Sequence, residues 1–147
     1  EKVRDAIEYS ASKGIIVNYW GVLGHPEETI EEAESTIKFM EDLPPSVIPL
    51  LFSMKAYPGS ELHKKSGERP VGDLEESFHD YLGLMRQDRR YIGILRRWRN
   101  SVYSEDRLNS VTSTLQNNGY SEDEIRAAYS LLYNFPDTTT LDRLIGG

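Results

Sequence analysis

The sequence predicts an α/β segment followed by an all-α region. Three observations carry this. Runs rich in β-branched and aromatic residues alternate with helical periodicity over residues 1–68. A turn-rich stretch, Ser66-Gly67-Glu68-Arg69-Pro70-Val71-Gly72-Asp73, interrupts the pattern. Beyond it, helical spacing continues with no clear strand. The expected divisions are an α/β piece at 1–68, a linker at 69–76, a helical region at 77–136 and a frayed tail at 137–147.

Each element has its own signal. Val3 and Ile7, with Ala6 and Ala11, share one face of a helix over residues 2–13, which Lys13-Gly14 stops. Residues 15–23 read as a strand. Ile30, Ala33, Ile37 and Met40 recur at helical spacing, and Glu31, Glu32, Glu34 and Lys38 form the opposite, solvated face. Pro26 suits a first helical turn, where Glu27 and Glu28 meet the positive helix end. Pro44-Pro45 ends this helix, and Val47 to Met54 is a second strand. Pro49 has no N–H to donate, so that strand starts late or lies at a sheet edge. Ser60 to Lys65 reads as one or two helical turns. Phe78, Leu82, Met85, Ile92 and Leu95 mark one long helix or two short ones, and Val102 to Leu115 and Ser121 to Tyr133 mark two more. Tyr103-Ser104-Glu105-Asp106 and Tyr120-Ser121-Glu122-Asp123 each open a helix with a serine cap and first-turn acids. Ser121 and Glu124 form a capping box.

Strands alternating with helices indicate a parallel sheet with crossover helices. Two strands alone cannot bury both sheet faces. Further strands are therefore expected from another segment or chain. The start at Glu1-Lys2-Val3 also points to a piece of a longer protein.

Composition narrows the classes. The 147 residues are 38% hydrophobic and 28% charged, the balance of a chain that buries a core in water. A net charge of −7 argues against bulk binding to nucleic acid or acidic membranes. No apolar run reaches the about 18 residues that span a bilayer, and no signal peptide is visible, so a cytosolic location is expected. There are no cysteines, hence no disulfides and no thiolate metal ligands.

The first strand has two faces. Ile15, Val17, Tyr19 and Leu23 share one; Ile16, Asn18, Trp20 and Val22 share the other. Asn18 has little reason to point into a helix layer, so its face is the candidate for a ligand-facing lumen. The plainer reading is that Asn18 bonds a neighbouring strand. Asn18 and Trp20, with Ser53 of the second strand, are the candidates for a substrate cavity. At the strand end, Gly24-His25-Pro26-Glu27-Glu28-Thr29 joins a permissive glycine to a rigid proline. Gly24 can admit close approach of a ligand to the backbone.

Leu23-Gly24-His25-Pro26-Glu27-Glu28-Thr29 resembles the GxPxET turn of radical S-adenosylmethionine (SAM) enzymes. Tyr57-Pro58-Gly59-Ser60-Glu61-Leu62 resembles the PxPGTxL segment that follows one strand later in that family. The intervening helix, with Thr36-Ile37 and Leu43-Pro44, has the family's length and texture. The likeness covers residues 1–68 and is nearest to the Fe–S oxidoreductase and cobalamin-associated branches. It implies the fifth and sixth strands of a partial (β/α) barrel. In the family, an N-terminal Cys-x-x-x-Cys-x-x-Cys loop holds a [4Fe–4S] cluster that cleaves SAM to a 5′-deoxyadenosyl radical. The family's GxIxGxxE pattern falls on Trp20-x-Val22-x-Gly24-x-x-Glu27, where Trp20 replaces a glycine. The resemblance implies that Val22 lies against the adenine and that Gly24 and His25 shape the backbone beside it. Lys55, Ala56 and Tyr57 would border the same ligand. His25, at a usually apolar position, reads as a turn residue. Ser60 replaces threonine and keeps a hydroxyl for capping.

Cluster ligation needs cysteine thiolates, and this chain has none. The resemblance therefore implies a parent enzyme that binds SAM and [4Fe–4S] with a further, N-terminal barrel half. The chain alone is expected to be inactive and to bind neither group tightly. A degenerate homologue that kept only the scaffold is the other reading. The parent's substrate, a small molecule or RNA, is not legible. An open strand edge would also favour oligomerisation.

The second half carries Arg86, Arg89, Arg90, Arg96, Arg97 and Arg99, interleaved with Tyr91 and Trp98. That composition fits an anionic-ligand or RNA surface. The plainer reading is a solvated face whose arginines pair with acids elsewhere, of which the chain has 24. The alternative function is accordingly a non-catalytic helical module binding RNA or a partner protein. Residues 115–128 faintly resemble ubiquitin-associated helical modules, through a generic Gly-aromatic-Ser turn. The histidines at 25, 63 and 79 lack metal-ligand spacing. No catalytic residue or metal ligand is assigned.

Overall fold

The computed structural model describes residues 1–54, 56–57, 59–66 and 81–133. Lys55, Pro58, the linker at 69–76, Phe78, His79 and the tail at 137–147 lie outside the described residues. Two strands, β1 (Val17–Leu23) and β2 (Val47–Ser53), pair in parallel. Seven helices accompany them among the described residues. They are α1 (Lys2–Ser12), α2 (Ile30–Glu41), α3 (Glu61–Ser66), α4 (Tyr81–Gln87), α5 (Tyr91–Val102), α6 (Glu105–Asn117) and α7 (Glu122–Tyr133). The fold is mixed α/β and mostly helical.

α1 buries Ile7 and is followed by Gly14 at φ +74°. α2 buries Ile30, Ala33, Ile37 and Met40, the set its spacing predicts. It begins later than Pro26 indicates. Thr29 is its N-cap: the Thr29 hydroxyl accepts from Glu32 N (3.2 Å), and the Glu32 carboxylate accepts from Thr29 N (2.8 Å). Pro26 and Glu27 instead lie in a turn closed by Glu28 N donating to His25 O at 2.9 Å. The reciprocal cap is worth more than an early proline, because it satisfies two orphan donors. The capping box expected at α7 is present, with Ser121 N on Glu124 (2.7 Å) and Glu124 N on Ser121 Oγ (3.2 Å). That bonding holds the Glu124 carboxyl below its ordinary value.

Strand parity explains how the sheet ends. Met54 N donates to Leu23 O, so even-numbered β2 residues bond towards β1 and odd-numbered ones face away. Pro49 therefore sits with its missing N–H on the outer edge, where a proline is tolerated. Three of the four outward carbonyls, those of Val47, Pro49 and Leu51, are taken by side chains of the helical region. Val47 O accepts from the Arg107 guanidinium, Pro49 O from Trp98 Nε1 (3.0 Å) and Leu51 O from the Tyr81 hydroxyl (2.9 Å). These donors stand where the next strand's N–H groups would be, and they seal the edge. On β1 the parity is opposite, so the backbone groups of Asn18, Trp20 and Val22 point to the free edge. Among the described residues, nothing bonds them there.

Leu23 and Leu51, on one sheet face, join Ile37, Met40, Leu84, Tyr91, Leu95 and Trp98 in the main core. Side chains from before residue 68 and after residue 77 thus share one core. Among the described residues, the other face is covered at its N-terminal end, where Ile48 clusters with Val111, Leu115 and Ile125 of α6 and α7. Trp20 (66% exposed) and Val22 (48%) remain open to solvent on that face.

Candidate functional site

The register sets Val22 opposite Phe52 and Leu23 opposite Ser53. The turns leaving β1 and β2 therefore start side by side at the C-terminal end of the sheet, the end where open parallel sheets bind ligands.

The first turn is held from several directions. Gly24 has φ +90°, a region open to glycine and strained for other residues. A Cβ at this position would also fall on Leu84 Cδ2. The close approach that glycine allows is thus used by Leu84 of α4. Gly24 N donates to Glu28 Oε1 (2.9 Å), and the Tyr91 hydroxyl donates to the same oxygen (2.6 Å). Burial, then the Glu28 hydrogen bond, pushes the Tyr91 phenol above its ordinary value, so it stays a donor. Gln87 Nε2 approaches His25 O at 3.4 Å. His25 Nδ1 accepts from Glu27 N at 3.2 Å, which makes it part of the turn's own bonding.

The second turn is simpler. Ala56 is half-buried and Tyr57 is exposed. Gly59 has φ +89°. Ser60 Oγ donates to Tyr57 O (2.7 Å) and accepts from His63 N (3.1 Å), capping α3 as expected.

Asn18, Trp20 and Val22 share the open face, and Trp20 packs its ring on Phe52 with centroids 5.2 Å apart. Ser53 is not brought to them: it is buried, and its parity places it with Leu23 and Leu51 on the helix-covered face. Lys55 lies outside the described residues. The assembled candidates are Val22, Gly24, His25, Ala56 and Tyr57 at the strand ends, with Asn18 and Trp20 along the open face. Among the described residues, no cluster of metal-ligating side chains is found, and no helix is long and apolar enough to cross a membrane.

Two of the arginines are paired within the chain. Arg97 forms a two-pronged bridge to Glu41 (3.0 and 2.7 Å), and Arg90 one to Asp88 (2.8 Å). Arg97 holds the Glu41 carboxyl below its ordinary value, and Arg90 does the same for Asp88. A depressed folded-state value stabilises the fold above the unfolded carboxylate range and is lost as pH falls through the folded value. Glu41→Gln should therefore cost less than about 1 kcal/mol at neutral pH, since the pair is partly solvated. The cost should vanish below the carboxylate range. Urea unfolding of both proteins at the two pH values checks this.

The sequence marked Glu28 only as a first-turn acid, and Tyr91 and Trp98 only as aromatics of an arginine-rich surface; both aromatics are instead buried in the main core, and Arg107 was not singled out. Arg107 alone had a readable signal: it stands at the spacing of the buried stripe Arg107, Val111 and Leu115. Comparisons with family models, curated proteins and solved structures return no match for this chain.

Proposed function

We propose that this chain is the C-terminal part of a radical SAM barrel and supplies the adenosyl-side wall of its SAM site. The observation that carries the reading is the pair of motif-bearing turns set side by side at the ends of two parallel strands, beside an open apolar face. Val22 is exposed where the adenine would lie. Gly24 and His25 would shape the turn beside it, with Leu84 filling the inner side of Gly24, and Ala56 and Tyr57 would border it from the second turn. Asn18 and Trp20 line the substrate side.

The sheet edges support the same reading. The β2 edge is occupied at Val47, Pro49 and Leu51, so among the described residues the edge left open to a further strand is that of β1. Ile7 of α1 shares a core cluster with Leu43 and Val47, against which Val17, Tyr19 and Phe39 pack, and this places α1 on the same sheet face as α2. A right-handed crossover with its helix on that face puts the preceding strand at the open β1 edge. The partner is the remaining barrel half. The chain has no cysteine, so the cluster is held elsewhere, and no chemical step is assigned to these residues.

The reading frame upstream of Glu1 is the first test: it should encode Cys-x-x-x-Cys-x-x-Cys. A frame that runs through a whole barrel without this motif contradicts the proposal. The isolated chain should show negligible SAM affinity by calorimetry and should self-associate through β1. Val22→Lys should reduce that association in sedimentation velocity, because an inward or edge lysine blocks strand pairing. Clear micromolar SAM binding by the isolated chain runs against this account.

A further inference from the structure

We infer that α4 and α5 form a clamp that sets the Gly24 turn, with Tyr91 and Glu28 as its positioning residues. The use made of the clamp, to hold backbone against the adenosyl part of SAM, rests on the function proposed above.

Glu28 lies just outside α2, and its carboxylate folds back over four residues to Gly24. One oxygen, Oε1, takes both the Gly24 N–H and the Tyr91 hydroxyl. Tyr91 opens α5 and is 1% exposed, locked in the main core. Its ring cannot follow a displaced Glu28, so the hydroxyl is a fixed post. Leu84 fills the space beside the Gly24 Cα, and Gln87 reaches His25 O. Three residues of α4 and α5 thus hold one turn of the distant β1–α2 unit. A turn with a glycine at φ +90° has several backbone states open to it. These contacts select one, and all but the Glu28 carboxylate come from outside the GxPxET-like segment itself.

The test separates geometry from ligand. In this chain, Tyr91→Phe keeps the ring in the core and removes the hydroxyl. Amide exchange at Gly24 should accelerate about tenfold, the size expected for losing one hydrogen bond to a charged group. Exchange in the middle of α5 should not change. Glu28→Ala should do the same or more, and Glu28→Gln, which keeps an acceptor oxygen, should restore slow exchange. In the full-length, cluster-loaded protein, Tyr91→Phe should raise the KM for SAM about tenfold and leave kcat within about twofold, because ground-state and transition-state binding fall together. Unchanged Gly24 exchange in both Tyr91→Phe and Glu28→Ala overturns the clamp. Faster exchange with unaltered SAM kinetics keeps the clamp and overturns the SAM reading of the turn.

Discussion

Arg107→Met should lower the unfolding free energy by about 3–5 kcal/mol, with the urea m-value unchanged. Arg107 is 4% exposed. Its guanidinium donates to Ser101 O (3.1 Å), to Pro44 O (3.1 Å) and to Val47 O, and approaches Met40 O and Ser101 Oγ at 3.5 Å. Those acceptors belong to the end of α2, the loop after it, the first residue of β2 and the end of α5. One side chain ties four segments together. Methionine keeps much of the stem's volume, so the cost is mainly polar. Val47 O is left without a donor, at about 1–3 kcal/mol, and Pro44 O, Ser101 O and Met40 O, which keep backbone donors, lose their bonds to a charged group. Lysine should recover only part of the loss, because a point ammonium cannot span acceptors laid out for a planar fork. A loss under about 1 kcal/mol for Arg107→Met would mean that water reaches these carbonyls, and that the sealed β2 edge is not a stable feature.

The second large effect is expected at Gly24. Gly24→Ala should cost about 2–4 kcal/mol, from two separable sources. An alanine at φ +90° is strained wherever the chain places it. Its Cβ also meets Leu84 Cδ2, itself 3% exposed and held in the core. Leu84 must move, and neighbouring side chains with it. A double-mutant cycle with Leu84→Ala separates the terms: in that background the cost of Gly24→Ala should fall to about 1 kcal/mol, the backbone part. Equal costs in both backgrounds would mean that Leu84 does not press on the turn, and would remove one arm of the clamp.

Much of the scaffold was legible because it rests on local patterns. The α2 stripe follows from helical spacing, and the Ser121–Glu124 box from four adjacent residues. Pro49 was informative because a residue without an N–H can occupy few places in a sheet. The parallel pairing followed from the alternation of strand and helix. The candidate positions were legible to the extent that Gly24 and Tyr57 lie in recognisable turns and Val22 near the end of a recognisable strand. What holds those turns was not. Glu28 meets Tyr91 across 63 positions, Pro49 meets Trp98 across 49 and Leu51 meets Tyr81 across 30. Each of these residues has an ordinary local role, as a first-turn acid, a core aromatic or a strand residue. Their pairing exists only once the helical region docks on the sheet. The Thr29–Glu32 cap starts α2 at Ile30, which leaves Glu28 outside the helix and free to reach back to Gly24 and Tyr91. Ser53 illustrates the complementary point: a polar residue on a predicted strand carries no mark of which face it takes until register and docking are known.

The most direct test of the central claim is SAM cleavage by the full-length protein, reconstituted anaerobically with iron and sulfide and supplied with a low-potential reductant. The account predicts formation of 5′-deoxyadenosine, with SAM affinity weakened by Val22→Asp, which places a carboxylate where the adenine is expected. An assembled cluster that yields no 5′-deoxyadenosine would contradict it.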